Sequence, residues 1–263
     1  MAEFFGFGGY NRTPEGYMSW QHLVFATFFL VTMIVVSIIV GLKFRNKDEV
    51  QKNKVMVWTA ILIVASEVFH ITICCIREKS FSPILHNLPL FLCSIQFITI
   101  PLAAFAKGRV KEAALDFVFI FGILSAVMGV YGAGQNFNAY PVLSFDNVIS
   151  AITHTISGFA SLYIVISGMA SMKAKNIWIT YVILISVCIL AYIADILIPY
   201  NYMFLMRGDG TPYDIFYNLV NGSRVFYPII VVALFLLYIL VFYLIYFWIK
   251  KMADKKHSQQ NSN

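Results

Sequence analysis

The run His86–Ile95, HNLPLFLCSI, places an imidazole and a thiol seven residues apart in an otherwise apolar stretch. Continued as a helix, this spacing puts His86 and Cys93 two turns apart on one face. Pro89 lies between them and removes a backbone N–H, which opens the backbone beside His86. A thiol becomes a thiolate when an imidazole takes its proton, and the thiolate attacks acyl carbonyls. The run therefore suggests a nucleophilic site, with two ordinary residues in a kinked helix as the alternative.

The segments that position these residues are predicted membrane spans. Hydrophobic residues make up 60% of the chain and charged residues only 12%, whereas soluble domains carry about 25% charged residues. We predict an all-α membrane protein, a seven-transmembrane-helix bundle, with an N-terminal segment 1–22, a transmembrane domain 23–249 and a basic, disordered tail 250–263. The predicted spans are Leu23–Leu42, Val55–Ile76, Ile84–Ala106, Ala113–Tyr131, Val148–Ala170, Ile177–Leu197 and Tyr227–Ile249.

The basic residues predict the orientation of these spans. Of the 19 Lys and Arg residues, 14 fall in the loops and tail on one side, which the positive-inside rule assigns to the cytoplasm. The N-terminus is then outside and the C-terminus inside, as expected for a multi-pass protein of the cell membrane. The cluster KKMADKK is a short juxtamembrane anchor on anionic lipid, so we expect no nucleic-acid partner.

This orientation gives the polar residues a common depth. Cys93 lies ~12 Å and His154 ~9 Å below the outer ends of their spans. Glu67, His70 and Asp195 fall in the same outer half, as the topology predicts. An ionisable group at the centre of a span costs ~2.5–3.5 kcal/mol, so it usually faces a bundle interior or a wet cavity. Each alone has a structural explanation, such as a Glu67–His70 pair three residues apart on one face, but their shared depth predicts one site.

The predicted catalytic pair is Cys93 with His154, linked by depth and not by a sequence motif. Asn87, or a backbone N–H near Pro89, is a candidate to stabilise an oxyanion. We interpret the remaining cysteines as small buried hydrophobic residues; they are Cys74, Cys75 and Cys188. We expect no cofactor and no metal. A metal site formed by His70, Glu67 and a third histidine is the alternative.

Four features of the sequence resemble the YwaF-like integral-membrane family. They are HNLPLFLCSI in span 3, a histidine in span 5, NYMFL after span 6 starting at Asn201, and a following SRVFYPI. That family is similar to a eukaryotic transmembrane acyltransferase that moves fatty acyl chains onto ether phospholipids. The resemblance covers about Trp20 to Trp248 and implies a cysteine nucleophile at Cys93 and a histidine partner at His154. Phe91 departs from the pattern, because relatives often carry histidine there, as in PLHLC.

The resemblance and the residues together predict a lipid acyltransferase. Its acyl group would pass through a Cys93 thioester from a phospholipid donor to a lysophospholipid acceptor, with His154 as base and then acid. With water as acceptor, the same site would be a lipid ester hydrolase. The alternative from another class is a proton-coupled transporter or ligand-sensing membrane module that uses Glu67, His70, His154 and Asp195. The absence of an inverted repeat in the sequence disfavours transport.

Overall fold

The computed structural model describes residues 2–170 and 172–260, with side chains through residue 252. Within these residues the chain forms helices and turns and no strand, which confirms the predicted all-helical class. The chain divides into two compact units, Met1–Ala170 and Ser171–Asn263. Each unit is described by itself.

The first unit contains seven helices. They are α1 Trp20–Phe44, α2 Glu49–Glu78, α3 Ser82–His86, α4 Gln96–Phe105, α5 Gly108–Val130, α6 Gly134–Ala139 and α7 Phe145–Ile166. The three helices α1, α2 and α7 begin after the side-chain caps Ser19, Asp48 and Ser144, each of which accepts a backbone N–H three residues on. Such caps satisfy donors that a helix start leaves without intrahelical partners, and so they fix where these helices begin.

The second unit contains three helices and two short 3₁₀ turns. The helices are α8 Ile177–Leu197, α9 Asp214–Leu219 and α10 Phe226–Gln260, and the turns are Ala174–Asn176 and Tyr202–Phe204. Helix α10 includes the first part of the predicted tail, and residues 261–263 lie outside the described residues.

Six helical segments of the described chain are long and apolar enough to cross a membrane. They are Trp20–Phe44, Glu49–Glu78, Gly108–Ala139, Phe145–Ile166, Ala174–Leu197 and Phe226–Met252. The chain is therefore built as a multi-pass membrane protein. The sequence predicts one span more, and the difference lies in the third predicted span, Ile84–Ala106.

The third predicted span is not a continuous helix. Helix α3 ends at His86, and α4 begins only at Gln96. Because a proline disfavours helical geometry in the residue before it and cannot donate to the helical ladder, Leu88 and Pro89 end the helix. The prediction that His86 and Cys93 share one helix face is therefore wrong. Cys93 lies in the non-helical stretch, where local contacts set its direction.

Glycines set the helix spacing at the centre of the first unit. There α5 packs against α4 and α7, and α7 also packs against α1. A Cβ atom on Gly158 of α7 would collide with Met33 of α1 and with Ala126 of α5. Small residues at such crossings let helix backbones approach closely, which is how helices associate when lipid removes the hydrophobic driving force.

We expect Gly158→Ala to lower the free energy of unfolding by about 1–3 kcal/mol, because the added methyl group overpacks the junction of three helices. The matched control is Gly134→Ala, where the nearest side-chain atoms lie 3.5 Å from an added Cβ, an ordinary contact distance. Thermal unfolding of both purified variants in detergent measures the difference. Equal melting temperatures for the two variants would contradict this account of the packing.

Candidate functional site

Cys93 lies in a tightly bonded turn that leads into α4. The Phe91 N–H donates to Ser94 Oγ at 2.9 Å, and the Ile95 N–H donates to the Phe91 carbonyl at 2.9 Å. The backbone N–H groups of Cys93 and Ser94 face the Cys93 sulfur, which is half-buried. These N–H groups favour a thiolate, whereas burial of the sulfur and the nearby Glu67 side chain oppose it, so ionisation of Cys93 depends on a base that takes its proton.

His154 lies on α7 with its tautomer fixed by one backbone contact. Its Nδ1–H donates to the Ser150 carbonyl at 2.7 Å. With the proton on Nδ1, the Nε2 atom of a neutral imidazole keeps its lone pair and can accept a proton. Gly129 of α5 lies directly against the ring, and a Cβ at that position would collide with Cδ2 and Nε2. The glycine therefore creates the space that the imidazole occupies.

Glu67 of α2 links the two predicted reactive residues electrostatically. Its carboxylate interacts with the Cys93 thiol and with the His154 imidazole. It also pairs with His70, whose Nδ1 lies 3.6 Å from Glu67 Oε2. The predicted Glu67–His70 pair on one helix face is thus confirmed. The pairing of Cys93 with His154 stays a prediction, because no hydrogen bond joins the two within the described residues.

A polar stripe continues along α2 beyond Glu67 and ends in an ion pair. Arg77 Nη1 and Nη2 donate to the two carboxylate oxygens of Asp146 on α7, at 2.7 and 2.9 Å. Tyr10 from the N-terminal segment donates to the same carboxylate at 2.5 Å. Burial and this hydrogen bond raise the pKa of Tyr10, so its hydroxyl stays a donor. A bidentate arginine pair of this kind is both directional and strong.

The neighbouring groups His70, Cys74 and Asp146 bring three ligand atoms within 4.8 Å of one another. Their contacts do not favour a metal centre. Both Asp146 oxygens are already bonded to Arg77, and a guanidinium at this position repels a cation. The cluster is better explained as a structural junction between α2, α7 and the N-terminal segment.

The N-terminal segment packs over this junction. The Phe145 N–H donates to the Phe4 carbonyl at 2.9 Å, and Arg77 donates to the Phe5 carbonyl at 3.4 Å. The rings of Phe4 and Phe5 pack on Phe145, the first residue of α7. Further along, the Tyr17 N–H donates to Asn138 Oδ1 at 2.8 Å. The segment before α1 is thereby attached to the ends of α2 and α7.

Two supporting residues predicted from the sequence lie at the end of α3. His86 is the last residue of that helix and is exposed. Asn87 follows it, and its Nδ2 donates to the Pro83 carbonyl at 2.8 Å. One of the two amide hydrogens of Asn87 is therefore used to close α3.

The other two supporting residues, Asp195 and Asn201, lie in the second unit. Asp195 Oδ1 accepts the Tyr202 N–H at 2.7 Å, while Oδ2 is buried with no partner among the described residues. Asn201 Nδ2 donates to the Arg207 carbonyl at 2.8 Å, and its Oδ1 accepts the Met206 N–H at 2.9 Å. Both side chains hold the NYMFL turn, where two residues have positive φ; they are Met203 and Phe204.

Sequence reasoning missed four residues of the first unit. Three of them, Tyr10, Arg77 and Asp146, form the junction between the N-terminal segment, α2 and α7. The fourth, Gln96, lies in an apolar run, and its spacing of three residues from Cys93 is the sequence signal that could have identified it. A depth argument finds ionisable groups inside spans, but it cannot find partners that meet at the ends of different helices.

A family model described as the TMEM164 family, a family of transmembrane proteins, matches residues 17–250. No curated protein and no solved structure matches the chain. The match extends over both units and includes Cys93, Gln96 and His154.

We expect Arg77→Met to release the N-terminal segment, because it leaves the Asp146 carboxylate unpaired at a largely buried position. Losing one partner of a buried pair costs about 3 kcal/mol. Arg12 is the only basic residue among residues 1–22, so the rate of trypsin cleavage there reports the release. The control is Arg45→Met, which removes an exposed guanidinium at the end of α1. Equal cleavage rates in the two variants would show that the ion pair does not hold the segment.

Proposed function

Because the chain belongs to the TMEM164 family, a family of membrane proteins, we propose that it is a lipid acyltransferase with Cys93 as nucleophile and His154 as general base. The observation that carries the proposal is the environment of Cys93. Its sulfur lies near the backbone N–H groups of Cys93 and Ser94 in the turn before α4, and Glu67 favours the imidazolium that forms when His154 takes a proton. The fixed Nδ1–H tautomer of His154 supports the assignment of Nε2 as the proton acceptor.

The reaction has two balanced halves. In the first, His154 Nε2 takes the Cys93 proton, and the thiolate attacks the ester carbonyl of a phospholipid. The carbonyl electron pair moves to oxygen, and its return expels the lysophospholipid alkoxide, which takes the proton from His154. In the second half, the hydroxyl of another lysophospholipid attacks the Cys93 thioester, with His154 again as base. Free thiol is regenerated together with the new phospholipid.

The molecule that accepts the acyl group from the Cys93 thioester determines whether the reaction is transfer or hydrolysis. If water attacks the thioester, the same residues perform ester hydrolysis and release a fatty acid. The half-buried position of Cys93 supports transfer over hydrolysis, because a site that limits water favours a lipid hydroxyl.

The proposal includes a topology. Six helical segments have the length and apolarity of spans, and α3, the Cys93 turn and α4 together make the seventh crossing. Irregular backbone at membrane depth is tolerated where it is buried in protein or lines a cavity. The N-terminus is then outside, the C-terminus is cytoplasmic, and the Cys93 site opens toward the outer leaflet of the cell membrane.

The topology predicts that a cysteine introduced between Gly132 and Asp146 reacts with a membrane-impermeant maleimide in intact cells. A reporter placed after Lys251 should report cytoplasm, because the basic loops and tail are retained on that side. The control is a cysteine in the loop Lys43–Lys54, which should be protected until the membrane is permeabilised. Protection of the first position would overturn both the orientation and the outer-leaflet site.

The mechanism predicts that Cys93→Ala abolishes acyl exchange between labelled phospholipid and lysophospholipid, with turnover lower by several orders of magnitude. The reason is that alanine forms no thioester. Cys93→Ser should be nearly inactive as well, since a hydroxyl is much less acidic than a thiol. Hydroxylamine-sensitive label on the purified protein measures the thioester directly.

The control for this measurement is Cys188→Ala. Cys188 is buried and contacts the Met203 sulfur at 3.6 Å, so we expect activity like that of the unmodified protein. Full exchange by folded Cys93→Ala protein would overturn the mechanism. It would favour the proton-coupled transporter or sensor, which needs the Glu67–His70 pair and has no use for a reactive thiol.

A further inference from the structure

Gln96 is the first residue of α4 and lies three residues after Cys93. Its side chain is completely buried, with 0% of its surface exposed. The Nε2 amide is a donor without a hydrogen-bond partner in the described part of the chain. Burying such a donor costs free energy unless a partner satisfies it, so an orphaned amide in a packed interior is unusual.

The orientation of this amide is fixed by Thr99, one turn further along α4. Thr99 Oγ1 donates to Gln96 Oε1 at 3.0 Å, the shorter of its two acceptor contacts, the other being the Ile95 carbonyl at 3.2 Å. Because a hydroxyl that donates must meet the carbonyl oxygen of the amide, the NH₂ group is turned away from Thr99. Thr99 is itself fully buried. The glutamine is therefore held with its acceptor satisfied and its donor free.

The local backbone places Gln96 on the same side as Cys93. The Gln96 N–H donates to the Cys93 carbonyl at 3.4 Å, and the Phe97 N–H donates to the Ser94 carbonyl at 3.0 Å. These are bonds between residues three apart, as in a 3₁₀ turn, where the side chains of residues i and i+3 lie over one another. The free amide and the thiol thus share one face of the turn.

A second buried donor lies near His154. Ser125 of α5 has a hydroxyl without a hydrogen-bond partner among the described residues. Ser125 lies one helical turn before Gly129, the glycine that contacts the His154 ring. Gln96 and Ser125 are thus two buried polar side chains whose donors have no partner among the described residues. Such a pattern is expected where a polar ligand atom is bound in an otherwise apolar interior.

We infer that Gln96 donates a hydrogen bond from Nε2 to the carbonyl oxygen of the acyl group when Cys93 attacks it. This inference rests on the proposed function. The donor changes no bond: it stabilises the negative charge that the ester or thioester oxygen gains in the tetrahedral intermediate and loses when that intermediate collapses. An amide aimed in advance needs no reorganisation during the reaction, and one such donor is worth about 10²–10³-fold in rate.

The alternative candidate for this role is Asn87, and the structure gives it less support. Asn87 Nδ2 already donates to the Pro83 carbonyl, whereas Gln96 Nε2 has no hydrogen-bond partner among the described residues. Thr99 is a positioning residue in this scheme, since it acts on the reacting oxygen only through Gln96.

The test compares two reactions of the same thiol. In the first, Cys93 is acylated by a radiolabelled diacyl phospholipid in detergent micelles. In the second, Cys93 is alkylated by iodoacetamide, a displacement at a saturated carbon that creates no oxyanion. Gln96→Met fills a similar volume without a donor. We expect acylation to slow by about 10²–10³-fold while the alkylation rate stays unchanged.

Two further variants keep the test decisive. Gln96→Leu also removes the amide donor and adds neither a charge nor an O–H group, so acylation should fall about as far as in Gln96→Met. Thr99→Val removes the hydroxyl that orients the amide, and we expect a smaller loss with alkylation again unchanged. The matched control is Gln135→Met, which replaces an exposed glutamine in α6 and should leave both rates unaltered.

The outcomes separate this inference from the proposal on which it rests. Acylation at the unmodified rate in folded Gln96→Met or Gln96→Leu protein overturns the role of Gln96, while the Cys93 mechanism stands if Cys93→Ala remains unlabelled. An equal loss of acylation and alkylation also overturns it, because Gln96 would then act on the thiol or on the fold. Acylation of Cys93→Ala protein would instead overturn the proposed function.

Discussion

The need to satisfy every backbone polar group inside a bilayer governs the region around Cys93. A spanning segment normally meets this need as an unbroken helix, because lipid offers no hydrogen-bond partner. Pro89 prevents that solution between α3 and α4. The chain compensates with local bonds, of which the contact between the Phe91 N–H and Ser94 Oγ is the clearest. The result is a hydrogen-bonded turn before α4, and Cys93 lies within it.

The placement of Cys93 has an electrostatic consequence. A cysteine in the middle of a regular helix meets no free backbone donors, since those donors bond to carbonyls four residues earlier. In this turn, the N–H groups of Cys93 and Ser94 lie near the sulfur and partly offset the effect of its burial. The break in the helix and the reactivity proposed for the thiol thus have one physical origin, and Gln96 and Thr99 occupy the first turn of the helix that follows.

Helix α2 shows how the protein accommodates charge at membrane depth. Glu67 pairs with His70, and Arg77 pairs with Asp146 at the other end of the stripe. Buried charges are costly unless they are paired and hydrogen-bonded. The Arg77 pair also joins α2 to α7 and to the N-terminal segment through Tyr10. Glu67 also interacts with both proposed reactive residues: it favours the imidazolium form of His154 and opposes a thiolate at Cys93.

The sequence by itself determined the membrane class and the approximate positions of the six long helices, and it indicated the pairing of Glu67 with His70. These follow from apolar run length and helical periodicity, which are local properties of the chain. It also indicated that Pro89 disturbs the third predicted span, but it could not say that the helix stops at His86 and resumes at Gln96. Only the tertiary structure decided the direction of the Cys93 sulfur, the bond that fixes the His154 tautomer and the meeting of Arg77 with Asp146. The same holds for the orphaned amide of Gln96, because a donor is unpaired only with respect to neighbours that arrive from distant parts of the chain.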